Sequence, residues 1–321
     1  MSTALTIIQP AALAQIDHAG AAANRAAAGH VFSAYAQRRP VNTLRRQKAD
    51  LDCFVHFLCT CGIDVQENLT SDPAAWAGIT WGLVAAFVQW ELKAGYAIGS
   101  INVRLSTIKT YAKLATQAGA LSPTEYAMIR TVAGFRFGEG RNVDAQRAQT
   151  RLGAKKEHTT PIGAGQALAL KDQADSRDQL LMCILLDHGL RCGEVAALDV
   201  ASIDLVAGTL TFYREKVHKT QTHRLSSDTL RAAMKYLAQP RSGSLLGMST
   251  REINRTVGEL GACLGIERLS PHDMRHFWAT AAVRGKTDIK SLQDAGGWSS
   301  PAMPLRYVES AAIANDGVRL G

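Results

Sequence analysis

A mainly α-helical chain in two modules, with one small antiparallel sheet confined to the second, is what the 321-residue sequence predicts. Three observations point there. Capping residues and helix-stopping glycines punctuate residues 29–137 around apolar runs of helical period. A stretch dense in glycine, arginine and lysine, 138–158, interrupts those runs and reads as a linker. Beyond it, the clear β signal is Thr209-Leu210-Thr211-Phe212-Tyr213-Arg214, rich in β-branched and aromatic residues.

Residues 1–28 are Ala-rich and weakly patterned, and read as a flexible arm or a loosely docked helix. After Thr43, Leu44, Leu51, Phe54, Val55 and Leu58 fall on one helical face, with Arg45, Arg46 and Lys48 elsewhere. A second helix over about Trp81–Gly95 carries Leu83, Val84, Phe87, Val88 and Leu92, with Gly95 as its stop. A third, capped by Ser100, runs through Ile101, Leu105, Ile108 and Tyr111, with Arg104, Lys109 and Lys113 at polar positions. Ser122-Pro123 opens a fourth as cap and first-turn proline. The linker holds Arg141, Arg147 and Arg151 and suits a path along a polyanion. In the second module, 159–321, helices are expected over Gln179–Leu190, Asp228–Leu237, Thr250–Leu264, Pro271–Arg284 and Ile289–Ala295. The strand at 209–214 is followed by a polar turn over Glu215–Thr222, with His223-Arg224-Leu225 returning as its partner.

Apolar residues make up 46% and charged residues 20%, which excludes a disordered chain. The net charge of +8 favours a polyanionic partner, with nucleic acid first. That charge is uneven: 16 Lys+Arg against 10 Asp+Glu in residues 1–155, and 20 against 18 in 156–321, giving +6 and +2. The six cysteines form no CxxC pair, so a zinc site is not expected and reduced thiols of a cytoplasmic protein are. The first basic residue is Arg25, so no secretory leader is expected. No apolar run approaches a membrane span, since Leu180–Leu186 ends at Asp187.

Against this background one ordered set of residues suits attack on a phosphodiester by a tyrosine, Tyr307. Arg191, in Gly189-Leu190-Arg191-Cys192-Gly193-Glu194, offers a planar fork to a phosphate, and Glu194 lies within helical reach to orient it. Alone, the pair would equally be an exposed ion pair. Lys216 and Lys219 both sit where a mobile lysine reaches a leaving oxygen. Lys219, nearer the middle of the expected turn, projects further and is preferred. Ser270-Pro271 starts a helix whose first turn holds His272, near the positive end of the dipole, with Arg275 on the same face. Gly296-Gly297 breaks a helix and turns Trp298, a donor only, inward. Tyr307 follows nine residues later.

This order of Arg191, turn lysine, His272-x-x-Arg275, Trp298 and Tyr307 resembles the tyrosine recombinases, or phage integrase family. Gly189–Glu194 resembles that family's first arginine box, and residues 271–276 its HxxR box. The run Gln293–Tyr307 resembles the Cre form, with tryptophan where most members carry histidine. Lys219-Thr220 followed by Arg224 resembles the hairpin lysine segment. The resemblance covers about residues 30–310 and is strongest over 188–307.

The resemblance implies a helical, SAM-like core-binding domain over 29–137 and a mostly helical catalytic domain with a small antiparallel sheet, together a C-shaped clamp on DNA. It implies type IB topoisomerase-like chemistry without ATP, metal or cofactor. Tyr307 would form a 3′-phosphotyrosyl bond, and Arg191 and Arg275 would clamp the non-bridging oxygens. Trp298 would donate to the phosphate or wall off water. Lys219 would protonate the departing 5′-oxygen. His272 would accept the tyrosine proton or donate to the phosphate, and Glu194 would orient Arg191. Arg45, Arg46, Lys48, Arg104, Lys109, Lys113, Arg141, Arg147 and Arg151 are the candidates for gripping duplex DNA. A dimer on one site and a tetramer at synapsis, acting on DNA of the nucleoid, complete the expectation. The alternative is a regulator that keeps the scaffold and has lost cleavage.

Overall fold

The computed structural model describes residues 10–63, 68–147 and 159–311. The chain divides into two compact units, Met1–Glu157 and His158–Gly321. The first is helical: α1 (Pro10–Ala28), α2 (Val31–Gln37), α3 (Val41–Thr60), α4 (Trp81–Lys93), α5 (Ile98–Gln117), α6 (Pro123–Thr131) and α7 (Phe137–Gln146). Its core forms where the apolar stripes meet: Leu51, Phe54 and Leu58 of α3, Val84, Phe87 and Val88 of α4, and Ile101, Leu105 and Ile108 of α5 are all buried. Phe54 meets Phe87 edge to face at 5.1 Å.

The local signals explain most helix ends. Gly95 has φ +81° just beyond α4, a left-handed conformation that glycine adopts without a Cβ clash. Ser122 Oγ accepts from Glu125 N at 3.1 Å, and Pro123 opens α6. Ser100 is not a cap. The helix begins two residues earlier, at Ile98 with Ala97 as cap, because Ile98 packs against the apolar core. The expected linker also begins as a helix. Glu139 accepts from Arg136 N at 2.8 Å to start α7, and the absent Cβ of Gly140 leaves room for Ile98. Arg151 lies outside the described residues. At the other end, the residues expected as a flexible arm or a loosely docked helix include α1, whose side chains from Asp17 to Ala27 are exposed.

The second unit comprises α8 (Ala164–Lys171), α9 (Ser176–His188), α10 (Cys192–Ala196), β1 (Ile203–Asp204), β2 (Thr209–Arg214), β3 (Lys219–Arg224), α11 (Ser227–Tyr236), α12 (Thr250–Cys263), α13 (Pro271–Arg284), α14 (Ile289–Gly296) and α15 (Ala302–Ala311). Every residue from Leu180 to Leu186 is buried, so α9 is the central helix. It is packed by α8, α11 and α13. The three strands pair antiparallel in the order β1-β2-β3. The hairpin is tighter than expected: β2 and β3 are joined by Glu215–His218, and Lys219 is already strand, paired with Arg214. All six cysteines are free. Among the described residues no helix is long and apolar enough to cross a membrane, and no group of three or more His, Cys, Asp or Glu is placed to hold a metal ion.

Behind α9 lies a polar network. Asp187 accepts from Ser226 Oγ at 2.6 Å and from Thr229 Oγ1 at 3.1 Å, and pairs with Lys171. His188 Nε2 lies 3.1 Å from the Thr229 hydroxyl, and the His223 ring faces His188 at 5.9 Å. Burial pushes both histidines down to about 4. An unfolded histidine titrates near 6.5, so between pH ~6.5 and ~4 the unfolded chain binds protons that the folded unit refuses. These two groups therefore withdraw stability as pH falls through that window. Thermal unfolding of the second unit is expected to shift down between pH 7 and 4. The shift should shrink in His223→Phe; an unchanged shift in that variant would overturn the assignment.

Candidate active site

Six side chains far apart in sequence line one cavity of about 520 Å³: Arg191, Lys216, His272, Arg275, Trp298 and Tyr307. Lys219 is not among its lining residues. The tight turn carries Lys216 to the cavity, whereas Lys219 is an exposed residue opening β3. The expectation for Lys219 rests on a longer turn, which the strand register replaces, and on the resemblance of Lys219-Thr220 with Arg224 to the hairpin lysine segment, which the cavity lining does not test.

Each group reaches the cavity for a local reason. Gly189 closes α9 at φ +59°, and a Cβ there would strike the Trp278 ring. This turn delivers Arg191 to the start of α10. Glu194 then accepts from Arg191 N at 2.7 Å and from its Nη1 at 2.8 Å. The guanidinium is thereby oriented and still about a quarter exposed. At the start of α13, Asp273 accepts from Ser270 N at 2.8 Å and from Thr160 N at 2.9 Å. His272 stands exposed in the first turn, and Arg275 is buried one turn on. Arg275 donates to two backbone carbonyls, Gly189 O and, at 2.5 Å, Gly296 O. Its guanidinium lies 4.6 Å from the Trp298 ring centroid. Burial, with the charges of Arg191 and Arg214 added, pushes it down to about 9.

Gly297 ends α14 at φ +59°, and the Trp298 ring folds back over Gly296 so closely that a Cβ there would overlap it. Tyr307, on α15, is 3% exposed and lines the cavity. Its ring is held between His276, at 4.8 Å, and Trp298, at 5.6 Å. Burial raises the phenol above its usual value, opposed by Arg275, Arg191 and Arg306. A tyrosine so held needs a proton acceptor to attack.

The structure adds two groups that sequence reading missed. Arg214 is wholly buried and bonds to the same Glu194 carboxylate at 2.8 Å. One carboxylate is thus shared by two arginines, leaving the site rich in positive charge. His276, packed on Tyr307, sits half-buried with its pKa lowered by burial and by His272. Neither carries a local sequence signal that sets it apart: Arg214 is followed by Glu215 and Lys216, and His276 directly follows Arg275.

The nine basic candidates fare differently. Arg46 is paired with Asp50 at 2.6 Å and Lys48 with Asp52 at 2.8 Å. Arg104 is paired with buried Glu91 at 2.6 Å and lies over the Tyr96 ring. Arg147 donates to Tyr96 O at 2.7 Å and to Asp144 at 2.5 Å. Arg45 and Arg141 are exposed. Lys109 caps α6 through Arg130 O and Val132 O, and burial lowers its pKa. Lys109 and Lys113 line a second cavity of about 800 Å³ within the first unit. Arg39, Arg130 and Arg136 also line it, and no acidic residue does.

Comparison with known proteins bears on this geometry. The profile described as the phage integrase family matches residues 162–313, which include all six cavity side chains. Residues 162–313 carry a phage integrase domain. The chain is 26% identical over 255 residues to tyrosine recombinase XerC of Actinobacillus pleuropneumoniae, covering 74% of this chain and 78% of that protein. It is 25% identical over 231 residues to tyrosine recombinase XerA of Pyrococcus furiosus, covering 68% and 72%. Among solved structures, a lambda integrase dimer bound to a COC′ core site matches with TM-score 0.60 at 17% identity, covering 90% of this chain and 96% of that one. The Tn1549 transposon integrase in complex with transposon right end DNA matches at 0.59 and 16%, covering 87% and 94%. At these identities the solved structures establish the fold alone.

Proposed function

We propose that this protein is a site-specific DNA recombinase that breaks and rejoins strands through a 3′-phosphotyrosyl intermediate. The observation that carries the reading is the convergence of Tyr307 with Arg191, Lys216, His272, Arg275 and Trp298 on one cavity. The Tyr307 phenolic oxygen attacks the scissile phosphorus as its proton passes to His272. The bond from phosphorus to the 5′-oxygen breaks, and Lys216 gives that oxygen its proton. Arg191 and Arg275 stabilise the charge on the non-bridging oxygens, and Trp298 donates to one of them or excludes water. Glu194 orients Arg191 without touching the substrate. Attack by a 5′-hydroxyl from another strand reverses these steps and completes exchange, so no ATP is consumed.

The protein would act on duplex DNA of the nucleoid as a dimer on one site and a tetramer at synapsis. The relative solved as a dimer on a core site supports the first of these states. In the first unit the acid-free cavity with Arg39, Lys113, Arg130 and Arg136 suits the phosphate backbone better than the ion-paired Arg46, Lys48, Arg104 and Arg147. Each phosphate neutralised contributes about 0.9 to the slope of log affinity against log salt. Lys113→Ala with Arg130→Ala is therefore expected to lower that slope by up to about 2. Fluorescence anisotropy across a salt series checks this, and an unchanged slope would place the contact elsewhere.

The function itself is tested on nicked duplexes of randomised sequence, from which covalent adducts are recovered on a denaturing gel. The expected adduct joins protein to a 3′-phosphate and releases a free 5′-hydroxyl. A protein that binds DNA and yields no adduct from any duplex would be a regulator on the integrase scaffold.

A further inference from the structure

Arg214 is the most thoroughly buried charge in the second unit, at 0% exposure, and the proposed reaction gives it no role. A buried guanidinium is tolerated only when its donors are satisfied, so where they go is informative. Nη1 donates to Glu194 of α10 at 2.8 Å. Nε donates to Gln221 of β3, and Nη2 to Ala295 O of α14 at 2.6 Å. Gln221 in turn donates to Asp294 O at 2.5 Å, binding the hairpin a second time to the end of α14. Gly297 lies so near that a Cβ there would come within 2.5 Å of Arg214 Cδ. The face of the guanidinium lies 4.7 Å from the Phe212 ring centroid.

These partners belong to three of the segments that carry catalytic groups. Glu194 holds Arg191. Lys216 follows Arg214 by two residues, in the turn that leaves β2. Ala295 and Gly297 shape the turn that presents Trp298. We infer that Arg214 is a positioning residue for strand cleavage, a buried clasp that sets Arg191, the hairpin carrying Lys216 and the Trp298 turn in one geometry without touching DNA. The inference rests on the cavity being the cleavage site. A neutral side chain of similar length would keep the packing and lose the clasp. The hairpin would then hold Lys216 loosely, and protonation of the leaving oxygen would suffer most.

The test exploits that step. In an ordinary duplex the bond to the 5′-oxygen breaks and the oxygen takes a proton. With sulfur in place of that oxygen, the phosphorus–sulfur bond breaks and the pair leaves on a thiolate, which needs no proton because a thiol ionises near 8.5. Arg214→Met is expected to cleave the ordinary site about 10²–10³-fold more slowly than wild type in single turnover. On the sulfur-bridged site its deficit should fall by at least about tenfold, the share of a lost general acid. A global folding defect would slow both substrates alike. Gln221→Met, which cuts the second hairpin tie and removes the acceptor of Arg214 Nε while leaving the Arg214–Glu194 ion pair in place, is the companion variant. It should show the same dependence on leaving group with a smaller loss. Equal deficits on the two substrates, or a Gln221→Met protein that cleaves both as wild type does, would overturn the inference. Wild-type protein that cleaves neither substrate would instead overturn the recombinase reading.

Discussion

Tyr307→Phe is expected to abolish the covalent protein–DNA adduct while leaving the fold and DNA binding in place. Phenylalanine retains the ring that packs between His276 and Trp298 and that shares a small core with Ala279 and Leu292. Only the attacking oxygen is removed. Because the ring is 3% exposed, no neighbouring nucleophile takes its place without repacking α15. The adduct should therefore fall below detection on a denaturing gel, whereas the fluorescence anisotropy of a labelled site should match wild type. An adduct that survives in this variant would assign the nucleophile to another residue. Loss of binding together with the adduct would show instead that the ring holds the unit together.

The second large effect separates the two lysines of the hairpin. Lys216→Ala should slow single-turnover cleavage by about 10²–10⁴-fold, the usual contribution of a positioned general acid. Lys219→Ala should stay within a few-fold of wild type, as suits an exposed strand residue away from the cavity. The two variants differ by three positions and carry the same change in charge, so DNA attraction at a distance cancels between them. A larger loss in Lys219→Ala would mean that the hairpin rearranges on DNA and brings the strand residue inward.

Much of the fold was legible. Ser122-Pro123, Gly95 and Ser270-Pro271 each mark a helix boundary because capping and left-handed turns are local chemistry. The helix expected over Gln179–Leu190 is α9, and its unbroken apolar run Leu180–Leu186 is buried throughout. Where the reading failed, a distant partner had decided the outcome. Ile98 joins the helix it was thought to precede because it packs against the core and beside Gly140, forty-two residues away. The start of α7 looks like linker because its glycines and charged residues carry no apolar stripe. It is helical through the Glu139 cap. The hairpin turn is shorter than its sequence suggests because β3 is mostly exposed, and Lys219-Thr220-Gln221-Thr222 shows no alternation of apolar and polar residues.

The candidate site divides along the same line. Sequence alone determined which residue types are present and in what order: the arginine box, the HxxR helix, Trp298 and Tyr307. Those carry their own local signals of cap, glycine turn and spacing. Only the tertiary structure decided which lysine meets them, since strand register is set by pairing across the hairpin and not by neighbours in the chain. It likewise decided that Arg46, Lys48, Arg104 and Arg147 are occupied by carboxylates, and that Arg214 is buried beneath the site. A charge reads the same in sequence whether it faces solvent, a partner or a phosphate. Burial and the identity of the partner give it its role, and both are fixed by contacts between segments that the sequence holds far apart.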